Sequence, residues 1–243
     1  MPHEQPDGHL SLSPAPAAAA ALFGASLPAM IRYAEILAGP GVERGLIGPR
    51  EVERLWERHL LNCGALAELM APEINVVDVG SGGGLPGLVL AIARPDLKVT
   101  LLEPLLRRTV FLEECVEQLE LANVEVRRGR AEEWAGRVAA DVVTARAVAP
   151  LEKLVGWCLP LLAPKGRMLA LKGEAAATEL ERVAPSLKAL GAVEWGVVEV
   201  GAELGDAATR VVRIDLGAQG YRPAKAARGP RNDRSARARR TAR

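Results

Sequence analysis

Cysteine is scarce in this 243-residue chain: there are three, Cys63, Cys115 and Cys158, odd in number and far apart. None forms a Cys-x-x-Cys pair, so neither a disulfide framework nor a zinc site is expected, and no metal is assigned. That usage fits a reducing compartment, the cytoplasm. Aromatic residues make up only 3% of the chain. Trp56, Trp134, Trp157 and Trp195 are too dispersed to read as a base-stacking platform. Lys and Arg are absent from residues 1–21, so the alanine-rich "SPAPAAAAALFG" lacks the basic start of a secretory signal. No run reads as the ~18 uncharged apolar residues of a membrane span. The expectation is a monomer with no membrane partner.

Charge is unevenly placed. The formal net charge is +1, yet nine of the 31 basic residues and one of the 30 acidic residues fall within 222–243. An acidic body thus carries a basic arm. Such terminal blocks often stay disordered and meet nucleic acid.

Residues 1–20 are Pro/Ala-rich and read as loose. Residues 21–72 read as a helical extension. Ile31, Ala34, Leu37 and Ala38 repeat at helical spacing, with Gly39-Pro40 as a stop. Val52, Leu55, Trp56, His59, Leu60 and Cys63 share one face of a second helix that begins near Pro49. His59, on that apolar face, reads as a packed core histidine.

From residue 73 to 217 the pattern alternates. Strands are expected at 74–79, 98–104, 124–129, 140–147 and 166–173, and helices at 85–93, 107–121, 150–162 and 174–190. Such alternation makes a mostly parallel sheet covered on both faces. Two last strands, 193–200 and 209–215, are joined without a helix, so they form an antiparallel pair at one edge. Residues 218–243 read as a disordered tail.

Five glycines in eight residues follow the first strand, in "DVGSGGGLPG" (78–87). Gly80, Gly82 and Gly84 let the backbone approach a ligand at the carboxyl end of the sheet, facing the next helix N-terminus. Dinucleotides and S-adenosylmethionine (SAM) both use such a loop, and Gly-x-Gly-x-x-Gly alone does not choose. Asp78 gives Asp-x-Gly-x-Gly-x-Gly. A carboxylate there suits the cationic sulfonium and ammonium of SAM and would repel a pyrophosphate; a helix or loop cap is its other reading. Glu103, ending the second strand, can accept hydrogen bonds from ribose hydroxyls of either ligand. The antiparallel pair leans towards a methyltransferase.

The segments "LWERHLLNC", "DVGSGGGLPG", "LLEPLLRRTVFL", "RGRAEEWA", "VTARAVAPLEKL" and "GRMLALKG" occur in that order. From about residue 30 to 216 the chain closely resembles the RsmG (GidB) family of bacterial small-subunit rRNA guanine-N7 methyltransferases, its actinobacterial members most of all. The resemblance implies a class I, Rossmann-like α/β fold with a seven-stranded sheet and an antiparallel edge hairpin. It implies SAM as cofactor, 16S rRNA or the small ribosomal subunit as partner, and transfer to N7 of a guanine in the 530-loop region. It places Gly80 and Leu85 around the methionine and ribose, Glu103 on the ribose, Ala131 and Glu132 beside the adenine, and Arg146 at the cofactor edge near the target base. The chain reads Ala145-Arg146-Ala147-Val148 where many members have Ser-Arg-Ala-Phe. Any hydrogen bond or stacking from that Ser and Phe therefore does not carry over.

The loop after the fourth strand, "DVVTARAVAPL", holds no Asn/Asp-Pro-Pro-Tyr/Phe and no Pro-Cys or Thr-Cys nucleophile. Guanine N7 has a free lone pair and needs alignment only. Arg146 then reads as a phosphate or base positioner, with Lys172 either holding RNA phosphate or snorkelling at its strand end. Arg107, Arg108, Arg127, Arg128 and Arg130 form a candidate basic surface, unless Arg107 and Arg108 cap or pair on their helix. A nicotinamide-dependent oxidoreductase and a non-catalytic RNA-binding protein are the alternatives from other classes.

Overall fold

A computed structural model describes residues 12–223. The basic arm from 224 onward and residues 1–11 lie outside them. Helices α1 (Ala17–Phe23) and α2 (Leu27–Ile36) open the described chain. The expectation of a loose 1–20 is corrected over its described part. Five alanines, the best helix formers, start α1 at Ala17, and Trp56 Nε1 donates to the carbonyl of Ser13 at 2.9 Å. Gly39-Pro40 does not stop α2 either. The helix widens over Leu37–Gly41, a geometry that tolerates the missing proline N–H.

The stretch Ala17–Gly41 is also long and apolar enough to pass, by composition, as a membrane span, contrary to the reading of the sequence. In the fold its Phe23, Met30, Tyr33, Ala34 and Leu37 are buried in the core. A second helical segment, residues 49–69, changes pitch along its length. Val52, Leu55, Trp56, Leu60 and Cys63 are buried on its inner face.

Seven strands follow: β1 (Asn75–Val79), β2 (Lys98–Glu103), β3 (Val124–Arg128), β4 (Ala140–Arg146), β5 (Leu162–Leu171), β6 (Ala192–Val200) and β7 (Thr209–Leu216). Their order is β3-β2-β1-β4-β5-β7-β6. β7 alone runs against its neighbours β5 and β6. β6 leads into it through a helical turn at Ala202–Ala207, where the sequence suggested only a loop.

Alternation along the strands makes two cores. Val76, Val99, Leu101 and Val142 face the N-terminal helices, α3 (Gly87–Ala93) and α4 (Leu106–Gln118). Val77, Leu102, Val143 and Ala145 face the opposite layer, which contains α6 (Leu151–Cys158) and α7 (Ala176–Leu187), with the short α5 (Ala131–Trp134) beside them. The chain after β7 stays attached at least to Arg222. Its N–H donates to Leu190 O at 2.9 Å and its Nη2 to Lys188 O at 2.6 Å, so the expected tail begins later than 218.

The strand order reverses between β1 and β4. The crossover from β1 runs to β2 on one side and the one from β3 returns to β4 on the other, so a crevice opens at the carboxyl ends of β1 and β4.

Candidate active site

The loop after β1 is shaped first by the protein itself. Asp78 is fully buried, and its Oδ2 accepts the Gly87 N–H at 3.1 Å. A Cβ on Gly87 would stand 2.7 Å from that oxygen, and one on Gly84 would stand 2.8 Å from Tyr33 Oη. These glycines make room for neighbouring side chains, with no ligand needed to explain them. Tyr33 Oη in turn donates to Gly83 O at 2.7 Å, so α2 holds the loop from outside.

Asp78 therefore caps the start of α3 beneath the loop, the second of the two readings of its place in the sequence, and it is not among the residues on the crevice wall, where a direct cofactor contact was expected. Burial pushes its carboxyl up to about 7. Its other oxygen, Oδ1, is buried with no hydrogen-bond partner.

Glu103, also buried, closes the loop from the end of β2. Oε2 accepts the Gly82 N–H at 3.0 Å, Oε1 accepts the Leu105 N–H at 3.0 Å, and Arg108 Nη1 lies 3.8 Å from Oε2. Above these groups is a crevice of about 650 Å³. Gly80, Gly82, Leu85, Glu103, Arg108, Arg130, Arg146 and Val148 line it, with Ile47 and His59 from the helical extension.

An apolar slot of about 120 Å³ continues from it between Leu102, Pro104, Ala131, Glu132, Val148 and Trp157. Its small size and mostly apolar lining suit a heterocycle. Gly80, Pro104, Arg130 and Val148 border both spaces. The structure thus gathers Gly80, Gly82, Leu85, Glu103, Ala131, Glu132 and Arg146, and leaves Asp78 and Gly84 behind the wall.

Arg146 ends β4 with its guanidinium turned to the helical extension. Nη1 lies 3.3 Å from Arg58 O, 3.5 Å from His59 O and 3.0 Å from Cys63 Sγ, and Nη2 meets His59 Nδ1. His59 Nε2 donates to Glu51 Oε2 at 2.9 Å. The ring is then the neutral Nε2–H tautomer. Burial, with Arg146 adding to it, holds His59 below its ordinary value.

Lys172 Nζ donates to Ala149 O at 2.6 Å and pairs with Glu179 at 2.9 Å, nearly buried. Both cations expected to hold RNA are engaged by the protein instead. Of the candidate basic surface, Arg108 and Arg130 border the crevice and Arg128 lines a neighbouring hollow. Arg127 pairs with Glu125 and stacks over Trp134. Reading the sequence also missed Tyr33 and Trp157. Trp157 looked isolated because its partners come from other elements; α6 carries it to the slot.

Glu103 puts negative charge on the wall of a crevice that continues into an apolar slot, which suits a cationic adenosyl ligand. Fold and site together define a Rossmann-like SAM-dependent methyltransferase. The fold is shared with the pyocyanin biosynthetic protein PhzM (TM-score 0.54, 14% identity, 81% of this chain and 69% of that one). It is also shared with a SAM-dependent O-methyltransferase of Thermotoga maritima (TM-score 0.50, 14% identity, 63% of each chain).

A family profile described as rRNA small subunit methyltransferase G matches residues 26–207, and the chain belongs to that family. Proteins called Ribosomal RNA small subunit methyltransferase G are similar along most of their length. The one from Thermobifida fusca is 61% identical over 82% of this chain and 84% of its own. The one from Mycolicibacterium gilvum is 52% identical over 93% and 99%.

Proposed function

We propose that this chain transfers the methyl group of SAM to N7 of a guanine in the 530-loop region of 16S rRNA, in the cytoplasm, where its three buried thiols stay reduced. The observation that carries the cofactor half is the Glu103 carboxylate on the wall of the crevice. Two of its lone pairs hold the Gly82 and Leu105 amides, and two more remain for a pair of ribose hydroxyls. Ala131, Glu132 and Trp157 would flank the adenine in the slot. Gly80, Gly82 and Leu85 would follow the ribose and methionine. Asp78 would act through the loop, with its charge below the sulfonium.

SAM supplies an electrophilic methyl carbon. The chain has to align an acceptor with it and shelter the site from water. Among the described residues bordering the crevice, the titratable groups suited to take a proton are already engaged: Glu103 with two amides, His59 with Glu51 and Arg146. That suits an acceptor that carries no proton, as N7 does not. Alignment of a lone pair on the methyl–sulfur axis is then the main demand.

The test uses small subunits from cells lacking the modification, methyl-labelled SAM and the purified chain. Label recovered as 7-methylguanosine in the 530-loop fragment supports the proposal. Label in another nucleoside, or none, overturns it.

A further inference from the structure

The cation expected to hold RNA at the end of β4 raises a different question: what does Arg146 do if its guanidinium is already used? Its Nη atoms face two carbonyls, one thiol and one imidazole, all within residues 58–63 of the helical extension. The contact at His59 needs a lone pair on Nδ1, hence a proton on Nε2. Glu51, eight residues earlier, accepts the hydrogen bond from that N–H and so fixes the tautomer.

The next residues show what the anchor controls. Ala147 is in the left-handed region, φ 53°, an unusual conformation for a residue with a Cβ. That bend returns Val148 over Gly80. A Cβ on Gly80 would meet Val148 at 2.8 Å. Val148 borders both the crevice and the slot. On its other side, Arg146 borders a polar cleft of about 400 Å³ that also contains Asn62, Lys172 and Thr209. The anchored arginine therefore stands as a partition between the cofactor crevice and the polar cleft.

We propose that Glu51 and His59 are positioning residues for methyl transfer: they lock Arg146 to the helical extension and so set the Ala147–Val148 bend that shapes both spaces. This rests on the function proposed above for the reaction, though not for the anchor itself. The groups facing His59 are Arg146 from β4, Glu51 from the preceding turn, and Arg58 and the Cys63 thiol from its own segment. A proton added at Nδ1 would oppose the Arg146 donors, and the anchor would open on the acid side.

The first test is nitrogen-15 NMR of the full chain without ligand. The expected spectrum shows His59 neutral, with hydrogen on Nε2, at neutral pH. Glu51→Leu should give mixed tautomers, while Glu51→Gln keeps the single one. A charged His59, or an Nδ1–H tautomer, overturns the proposal. This arm does not depend on which RNA atom is methylated.

The second test compares His59→Asn, whose amide oxygen replaces the Nδ1 acceptor, with His59→Leu. His59→Leu should lower single-turnover transfer at saturating SAM on the order of tenfold to a hundredfold. His59→Asn should recover most of it and lose the acid limb of the wild-type pH profile. Equal losses in both, or an acid limb that survives in His59→Asn, overturns the proposal. If transfer goes to a nucleoside other than 7-methylguanosine, the proposed function fails while the anchor is still judged on the same ratios.

Discussion

The Gly82 amide donates to Glu103 Oε2 across 3.0 Å, so the acid that ends β2 grips the loop that follows β1. One side chain thereby shapes the glycine loop and faces the crevice. Glu103→Ala removes both functions. SAM affinity should fall at least tenfold, since a hydrogen bond to a charged group contributes about 1.5–3 kcal/mol. Melting temperature should fall too, because the Gly82 and Leu105 amides lose their acceptor. Glu103→Gln keeps an acceptor oxygen and should retain more stability than affinity. Calorimetric titration with SAM and thermal melting of the three proteins check this; unchanged SAM affinity in Glu103→Ala would remove Glu103 from the site.

Asp78 makes the site sensitive to pH. Its ordinary value is 3.8 and burial raises it to about 7 in the fold. Between these values the folded chain keeps a proton that the unfolded chain has lost. Its contribution to stability therefore declines as pH rises from about 4 to about 7 and is flat above. A cationic ligand above the loop favours the ionised form, so SAM affinity should rise with pH up to about 7, at most tenfold per unit, with a proton released on binding. Asp78→Asn keeps an acceptor for the Gly87 N–H and cannot ionise. Both dependences should flatten in it, as melting curves and titrations across pH 5 to 9 would show.

Two glycines of the same loop should respond differently to an added methyl. Gly87→Ala brings its Cβ within 2.7 Å of Asp78 Oδ2. Overpacking of that kind costs about 1–3 kcal/mol or more, and denaturant midpoints should drop accordingly. Around Gly82, φ 56°, the nearest atom to a Cβ is Gly80 O at 3.8 Å. Gly82→Ala should cost roughly 1–2 kcal/mol of backbone strain, while its methyl intrudes on the crevice and weakens SAM binding more than Gly87→Ala does. Similar ratios of stability loss to affinity loss in the two variants would contradict this division of the loop.

The sheet was legible because most of its strands are short apolar runs ending near glycine or proline, and alternation plus one late hairpin gives a mostly parallel sheet with an antiparallel end, though not the strand order. The crevice was legible at Gly80, Gly82 and Glu103, which lie at or just past strand ends where a local reading suffices; Leu85 came only from the family resemblance. Asp78 was not. Its spacing before the glycines shows where it stands but not which way the carboxyl turns, and only packing sends it to Gly87. The fates of Arg146 and Lys172 were equally hidden, because their partners, His59 and Glu179, are 87 and 7 residues away on other elements. Polar pairing across elements leaves no periodic trace. Trp157 and Tyr33 escaped for the same reason.

The electrostatics of RNA binding should follow these partnerships instead of the tally of positive residues. Lys172 is nearly buried and bonded to Ala149 O and Glu179. Lys172→Met should leave the salt dependence of rRNA binding unchanged. It should lower the melting temperature, because Glu179 loses a charged partner worth about 1.5–3 kcal/mol. Arg130 is exposed at the border of crevice and slot. If it meets one phosphate, Arg130→Ala should reduce the slope of log affinity against log salt by about 0.7. Fluorescence anisotropy with a labelled 16S fragment at several salt concentrations measures both slopes. A reduced slope in Lys172→Met would show that its pairing with Glu179 opens when RNA binds, returning Lys172 to the RNA contact surface.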